Sequence, residues 1–181
     1  IEEGADVTIK DNAGSGIYTA QEVCDLTIGS ATITNNGSGT VNKSGIGAEN
    51  GGGIYNIGTL KLGKGVTITG NTAKNGGGVY TKGKDGKVTI NNSTITENKA
   101  TGNGGGICAE DNSTVTVVGG EISSNTSTGV EQTASGGGGL YTNNSTVTLN
   151  TVTITGNQAT TDPRNDGGGI LAAGSNLTIT G

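Results

Sequence analysis

The residues of this chain that could carry chemistry are its carboxylates, two cysteines and a single arginine, Arg164. A pectate-lyase-like site needs several carboxylates on one strand face to hold Ca²⁺ and a basic side chain to accept a proton, and a glycosidase needs two acids with different pKa values. In this chain Glu97 and Glu121 are isolated, and Asp25 and Asp85 fall at predicted strand edges or turns. This spacing does not favour either enzyme.

Nucleophilic catalysis by a cysteine would also lack an activating base. The chain contains no His that could activate Cys24 or Cys108, and no Trp that could serve as a platform for a sugar ring. We therefore predict no catalytic residue, no metal site and no cofactor. A polysaccharide lyase-like enzyme is only a third hypothesis, after the two developed below.

The composition is dominated by small and polar residues. Gly (37), Thr (30) and Asn (20) make up 87 of the 181 residues, which favours β-structure over helix. The net charge of −5 and the single Arg do not provide the basic surface that nucleic acid requires, so we predict no nucleic-acid partner. Apolar runs are far shorter than the ~20 residues that cross a bilayer, so no transmembrane segment is predicted.

A short word of three glycines and one aliphatic residue recurs along the chain. Its copies are Gly51–Ile54, Gly76–Val79, Gly104–Ile107, Gly137–Leu140 and Gly167–Ile170, with a degenerate copy at Gly14–Ile17. Successive copies start 25 to 37 residues apart. That variation is too large for helical arrays and is typical of a solenoid whose turns carry loops of different length.

Each period contains three extended segments in the same order. The first ends the glycine word, as in Ile54-Tyr55, and the second alternates apolar with polar residues, as in Leu60 and Leu62. The third has the form Ile-x-x-Asn, with a small residue two positions after the Asn. Its complete copies are Ile33…Asn36, Ile68…Asn71, Ile95…Asn98, Ile122…Asn125 and Ile154…Asn157.

These segments predict an all-β fold, a right-handed parallel β-helix or solenoid of about six irregular coils with three short strands per coil. Stacking at about 4.8 Å closes a thin aliphatic core that no single coil could form. The stacked Asn side chains are predicted to form a structural ladder of amides. We interpret residues 1–181 as one β-helix domain, a segment of a longer surface protein, with coils beginning near residues 14, 51, 76, 104, 137 and 167.

The repeat also separates the two cysteines. Cys24 belongs to the first coil and Cys108 to the coil three later, which places them about 14 Å apart along the stack. A disulfide spans at most about 7 Å between Cα atoms, so we predict two unpaired thiols.

The alternation of GGGIY, GGGVY and GGGLY with ITGN, ITEN and ISSN resembles the paired GGA[ILV] and FxxN repeats of chlamydial polymorphic outer-membrane proteins. In every copy this chain has Ile where that family has Phe. The resemblance spans nearly the whole chain. It implies a β-helical, autotransporter-passenger-like segment on a bacterial surface with a role in adhesion.

Threonines flank the aliphatic residue of the third segment on both sides. The resulting columns comprise Thr32, Thr34, Thr67, Thr69, Thr94, Thr96, Thr153 and Thr155, and they are interrupted at Glu121 and Ser123. Thr is the ordinary choice for an outward strand position. The same array also resembles the Thr surface of β-helical ice-binding proteins, so binding to ice or to a carbohydrate surface through this face is the second hypothesis.

Loops of variable length leave the solenoid at one edge, between the small residue after each Asn and the next glycine word. They are long at 39–50, 128–136 and 160–166 and short at 74–75 and 101–103. Insertions confined to one edge often form a binding surface. The candidate binding residues in the last two long loops are Val130, Glu131, Gln132, Asp162, Pro163, Arg164 and Asp166.

The first hypothesis for the function is therefore a non-catalytic, secreted or cell-surface adhesin or structural stalk. Its expected partner is a protein or glycan on a host or neighbouring cell, contacted through the loop edge. Self-association, end to end or side by side, is a further expectation, because exposed strand edges pair readily.

Overall fold

The computed structural model describes residues 1–2, 4, 6–19, 23–37, 49–129, 136–160 and 167–181. Every regular element in these ranges is a β-strand, and every strand pairing is parallel. The strands fall into four sheets that we number I to IV in the order in which a turn of the chain visits them.

Sheets I and II are each built from one strand of six successive turns. Sheet I contains β2 (Ile17–Tyr18), β5 (Ile54–Asn56), β9 (Val79–Lys82), β13 (Ile107–Glu110), β17 (Leu140–Asn143) and β21 (Ile170–Ala173). Sheet II contains β3 (Asp25–Ile28), β6 (Thr59–Leu62), β10 (Lys87–Asn91), β14 (Thr114–Val118), β18 (Thr146–Asn150) and β22 (Asn176–Thr180).

Sheets III and IV complete each turn. Sheet III contains β1 (Thr8–Lys10), β4 (Ala31–Thr34), β7 (Val66–Thr69), β11 (Thr94–Thr96), β15 (Glu121–Ser123) and β19 (Thr153–Thr155). Sheet IV is shorter and contains β8 (Thr72–Ala73), β12 (Lys99–Ala100), β16 (Thr126–Ser127) and β20 (Gln158–Ala159).

The register shows a solenoid. Val88 of β10 pairs with Leu60 one turn before and with Val115 one turn after, and each strand of the other sheets pairs in the same way. Four turns are complete, with one strand in every sheet, and partial turns flank them in the described residues. The predicted parallel β-helix is confirmed. Each complete turn has a fourth, two-residue strand in addition to the three predicted. It was not predicted because two residues are too few to show an alternation.

The core is a single stack of aliphatic side chains. The turn formed by β5 to β8 supplies Ile54, Leu60, Leu62, Val66 and Ile68, all of them buried. Full burial of one such side chain contributes roughly 1.5–3 kcal/mol. A turn can bury these residues only against the turns above and below, so the solenoid is stable as a stack.

The predicted ladder of asparagines is present at the corner between sheets III and IV. Its members are Asn12, Asn36, Asn71, Asn98, Asn125 and Asn157. The Nδ2 group of Asn71 donates to Asn98 Oδ1 at 2.9 Å and to the carbonyl of Ile33 at 2.9 Å, and the Asn71 backbone N–H donates to the same Asn98 Oδ1 at 3.0 Å. Asn12 was not among the predicted copies, although Ile9-x-x-Asn12 has the same form.

The glycine words from Gly51 to Gly139 leave no space for side chains. A Cβ atom on Gly53 would lie 2.6 Å from the carbonyl oxygen of Gly78, and the first glycine of each word, such as Gly76 with φ +60°, has a left-handed backbone. The first feature follows from the close approach of successive turns, and the second from the sharp bend of the chain within one turn. Cys24 and Cys108 are free, which confirms that they are not bridged.

Candidate functional site

Sheet III brings the eight predicted threonines together in two columns on one face. Thr32, Thr67 and Thr94 pair directly in successive turns, and Thr34, Thr69 and Thr96 form the parallel column. The intervening isoleucines of the same strands point inward and are buried, so the threonines lie on the outer face. The array is therefore regular across β4, β7 and β11.

The following turn interrupts both columns. Glu121 takes the place of the first Thr and Ser123 that of the second, before Thr153 and Thr155 resume the columns in β19. Ser123 is buried, and its hydroxyl donates to Thr96 Oγ1 at 3.2 Å. The Thr face thus carries the Glu121 carboxylate between the threonines of β11 and those of β19. It is therefore less uniform than a grid of hydroxyls and methyl groups.

The residues of the predicted loop edge, Val130, Glu131, Gln132, Asp162, Arg164 and Asp166, lie outside the described residues. The structure does describe the corner of the solenoid next to them. There Asn75 Nδ2 donates to Asn50 Oδ1 at 3.0 Å, and the N–H of Asn103 donates to Asn75 Oδ1 at 2.9 Å. This second column of amides fixes the chain just before the glycine words, whatever the length of the preceding loop.

A column that sequence reasoning missed runs along the outer face of sheet I. Tyr18, Tyr55, Tyr80, Cys108, Tyr141 and Leu171 occupy one register position in six successive strands. The rings of Tyr18 and Tyr55 stack with centroids 4.5 Å apart, and those of Tyr55 and Tyr80 with centroids 5.5 Å apart. The column holds all four tyrosines of the chain, so its signal was the recurrence of Tyr at one position of the glycine words.

Burial changes along this column. Tyr18 is 62% exposed, whereas Tyr80 is 4% exposed and Cys108 is fully buried. The Tyr80 hydroxyl donates to Glu110 Oε2 at 2.7 Å, and burial together with this carboxylate raises the pKa of Tyr80. Burial also raises the pKa of Tyr141 to about 12 and the pKa of the Cys108 thiol. These groups are therefore neutral at physiological pH, and Cys108 is protonated and unreactive.

A scan against protein-family models matches the Chlamydia polymorphic membrane protein repeat at residues 65–82 and 92–110. Two segments of this chain are therefore similar to that repeat, and the resemblance noted in the sequence is confirmed in these segments. Comparisons with curated proteins and with solved structures gave no match.

The polymorphic membrane protein repeats coincide with one structural unit. Each matched segment begins just before a strand of sheet III, passes through the ladder Asn and the two-residue strand of sheet IV, and ends with a glycine word and its strand of sheet I. In the first segment these elements are β7, Asn71, β8 and β9. The repeat therefore encodes the corners that stack one turn on the next.

The described residues contain no group of three or more His, Cys, Asp or Glu side chains that could hold a metal ion. Glu110, which lies beside Tyr80 and Cys108, is engaged by the Tyr80 hydroxyl. In the same ranges no helix is long and apolar enough to span a membrane.

Proposed function

We propose that this chain is a non-catalytic module of a bacterial surface protein, an adhesin or a structural stalk. The observation that carries the proposal is the match of the polymorphic membrane protein repeat to the stacking unit of the solenoid. The named family is one of membrane proteins, which supports a secreted or cell-surface location for a module built from its repeat.

The stalk part of the proposal is supported by continuous bonding along the axis. The ladder amides, the aliphatic stack and the sheets connect every described turn to the next. Among the described residues, no buried side-chain nitrogen or oxygen lacks a hydrogen-bond partner. Such a stack resists bending, so it can hold a binding surface at a distance from its anchor.

The adhesive part of the proposal assigns contact to the loop edge. Inward positions of the strands are occupied by the core, and glycine positions are closed to side chains, whereas the loops at 128–136 and 160–166 vary freely in length and composition. Glu131, Asp162 and Arg164 supply charges there that could contact a protein or glycan on another cell.

Cell adhesion tests this proposal. Beads coated with the chain are expected to bind epithelial or bacterial cells, and beads coated with a variant in which both loops are replaced by the Lys74-Asn75 connection are expected not to bind. Circular dichroism and the melting temperature of the variant should equal those of the wild type. Absence of binding by wild-type beads to every cell type would contradict adhesion, and unchanged binding by the variant would contradict the loop edge.

A second candidate function, binding to ice or to a flat carbohydrate surface, is favoured by the register of the threonines. Three successive strands of sheet III present aligned Thr pairs, at Thr32/Thr34, Thr67/Thr69 and Thr94/Thr96. Thermal hysteresis of the wild type that is lost on replacing Thr67 and Thr94 by Lys would favour this function. Hysteresis equal to that of a buffer control would exclude the ice-binding form of it.

A further inference from the structure

The corner between sheets I and II, where each glycine-word strand turns into the next strand, carries two adjoining clefts. The first has a volume of about 370 Å³ and is lined by Tyr55, Ile57, Lys82, Gly83, Asp85 and Asp111. The second has a volume of about 220 Å³ and is lined by Asn112, Asn144, Ser145, Thr146, Gly174 and Asn176. Asp111 lines the first cleft and its chain neighbour Asn112 lines the second, so the two clefts lie next to each other along the axis, and we call them together the corner groove.

The groove crosses several turns. Its lining comes from five successive corners, from Ile57 after β5 to Gly174 after β21. At about 4.8 Å per turn these corners span about 19 Å parallel to the axis. A ligand that fits the whole groove is therefore extended and lies along the solenoid.

The second cleft is lined by amides without a hydrogen-bond partner among the described residues. Asn112, Asn144 and Asn176 are exposed, and within the described residues none of their side chains makes a hydrogen bond, in contrast to the amides of the buried ladder. An amide offers two donors and one acceptor oxygen. Three successive turns thus each place one amide on the second cleft, from the corner position at Asn112 and Asn144 and from the first residue of β22 at Asn176.

The first cleft adds an aromatic edge and charges of both signs. The Tyr55 ring is stacked between Tyr18 and Tyr80, and its pKa is raised by burial and lowered to a smaller extent by the nearby Lys82 ammonium. Asp85 is partly exposed, with the exposed Lys84 ammonium at 3.9 Å, and Asp111 is exposed. Carboxylates accept hydrogen bonds from hydroxyl groups, and they repel phosphates and acidic sugars.

We propose that the corner groove binds a linear, uncharged polysaccharide whose chain runs parallel to the solenoid axis. Sugar hydroxyls are both donors and acceptors, so they match the amides of the second cleft and the carboxylates of the first. In an extended glycan one ring spans about the spacing of one turn, so successive rings meet equivalent corners. The two carboxylates and the net charge of −5 disfavour an anionic ligand.

The corner groove is a surface different from the loop edge. Glycan binding to it is measured on the chain in solution and does not depend on adhesion to cells. Loss of adhesion on loop shortening and loss of glycan binding on groove substitution are therefore separate results.

Isothermal titration with cellohexaose and chitohexaose tests the proposal. The wild type is expected to bind at least one of them. It is expected to bind isomaltohexaose, a more flexible isomer of cellohexaose, at least tenfold more weakly. The double variant N112G/N144G removes two amides where φ is already +67° and +47°, which glycine adopts readily. It is expected to raise the Kd at least tenfold.

Asn92→Gly is the matched control. Asn92 is exposed, has φ +46° and lies over a glycine of the next turn, as Asn144 does, but it occupies the corner between sheets II and III. Its replacement is expected to change the Kd less than twofold. Asp85→Ala, in the first cleft, provides a second groove variant if the double variant folds poorly, with an expected fivefold or greater rise in Kd.

Three results would overturn the proposal. The first is no binding of either linear oligosaccharide at millimolar concentration. The second is an unchanged Kd in the folded groove variants, and the third is an equal loss of affinity in the Asn92→Gly control.

Discussion

Two sets of asparagines lie at corners of this solenoid, and they have opposite surroundings. The ladder asparagines, such as Asn71 and Asn98, are buried, and their amides bond to one another and to backbone carbonyls. The asparagines of the corner groove, such as Asn112 and Asn144, are exposed, with no side-chain hydrogen bond among the described residues. The same residue type therefore has different roles at the two corners.

The two sets also differ in backbone conformation. In the ladder, the residue before each Asn has positive φ, for example Asn35, Gly70 and Glu97, and the Asn after it turns inward. In the groove, Asn112 and Asn144 themselves have positive φ. An Asn that is itself left-handed at a corner therefore lies outside, as Asn35 and Asn92 also do.

The largest expected effect is at the centre of the ladder. Asn98→Ala should lower the free energy of unfolding by about 3 kcal/mol, because the Asn71 backbone N–H loses its acceptor and the Ile68 carbonyl loses the bond from the Asn98 amide. Asn71 Nδ2 and Asn125 Oδ1 each lose one bond and keep another. Denaturant unfolding measures the loss. Asn112→Ala, which leaves no partner behind, is a control for the residue type, although Ala tolerates positive φ poorly. A loss below about 0.5 kcal/mol for Asn98→Ala would show that the ladder is not structural.

A smaller effect is expected where the ladder meets the glycine words. Gly78→Ala would place a Cβ 2.6 Å from the Gly106 carbonyl oxygen and 3.1 Å from Asn98 Nδ2. The turns would have to separate, at a cost of about 2 kcal/mol. Gly14→Ala, in the degenerate first word, meets no atom within 4 Å and should leave the melting temperature unchanged. Equal melting temperatures for both variants would show that stacking does not depend on the absence of a Cβ.

The sequence predicted the ladder more fully than it predicted the groove. Inward residues repeat with strict spacing because each must fit the turn before and after it, so Ile68…Asn71 and Leu60/Leu62 were visible as a pattern. Corner residues need only suit a left-handed turn, a demand that Asn, Asp and Gly all meet. Gly83, Asp111 and Asn144 therefore fill equivalent corners without a common motif.

The recurrence of Tyr at one position of the glycine words was visible in the sequence, but the burial of the tyrosine column was not. Tyr18 and Tyr80 occupy the same outward register, yet one is mostly exposed and the other is buried. The alternation of a strand predicts only which face a side chain occupies, and it does not predict what covers that face. The two-residue strands of sheet IV, such as β8, were missed for the related reason that one inward residue gives no period.

A gain of stability is expected at the left-handed position before a ladder Asn. Glu97 has φ +57° and is exposed, so Glu97→Gly should relieve backbone strain and raise the free energy of unfolding by about 0.5–1 kcal/mol. The bond from the residue 97 N–H to the Ser123 carbonyl is retained. Gly70→Ala, at the equivalent position with φ +65°, should lower stability. A loss of stability in Glu97→Gly would mean that the Glu side chain contributes more than its backbone strain costs.

The smallest expected effect separates the two sets of asparagines directly. Asn144→Gly removes an amide that has no partner and keeps a backbone with φ +47°, so the free energy of unfolding should change by less than about 0.5 kcal/mol. Asn98→Gly, which removes an amide bonded to the turns on both sides, should lower it by about 3 kcal/mol. The two variants remove the same side chain, but Asn98 does not have positive φ, so their difference contains the lost amide bonding and about 0.5–1 kcal/mol for the backbone freedom of Gly at residue 98. If Asn144→Gly is as destabilising as Asn98→Gly, the corner amide is structural, and the corner groove loses the unpaired groups through which it would bind a glycan.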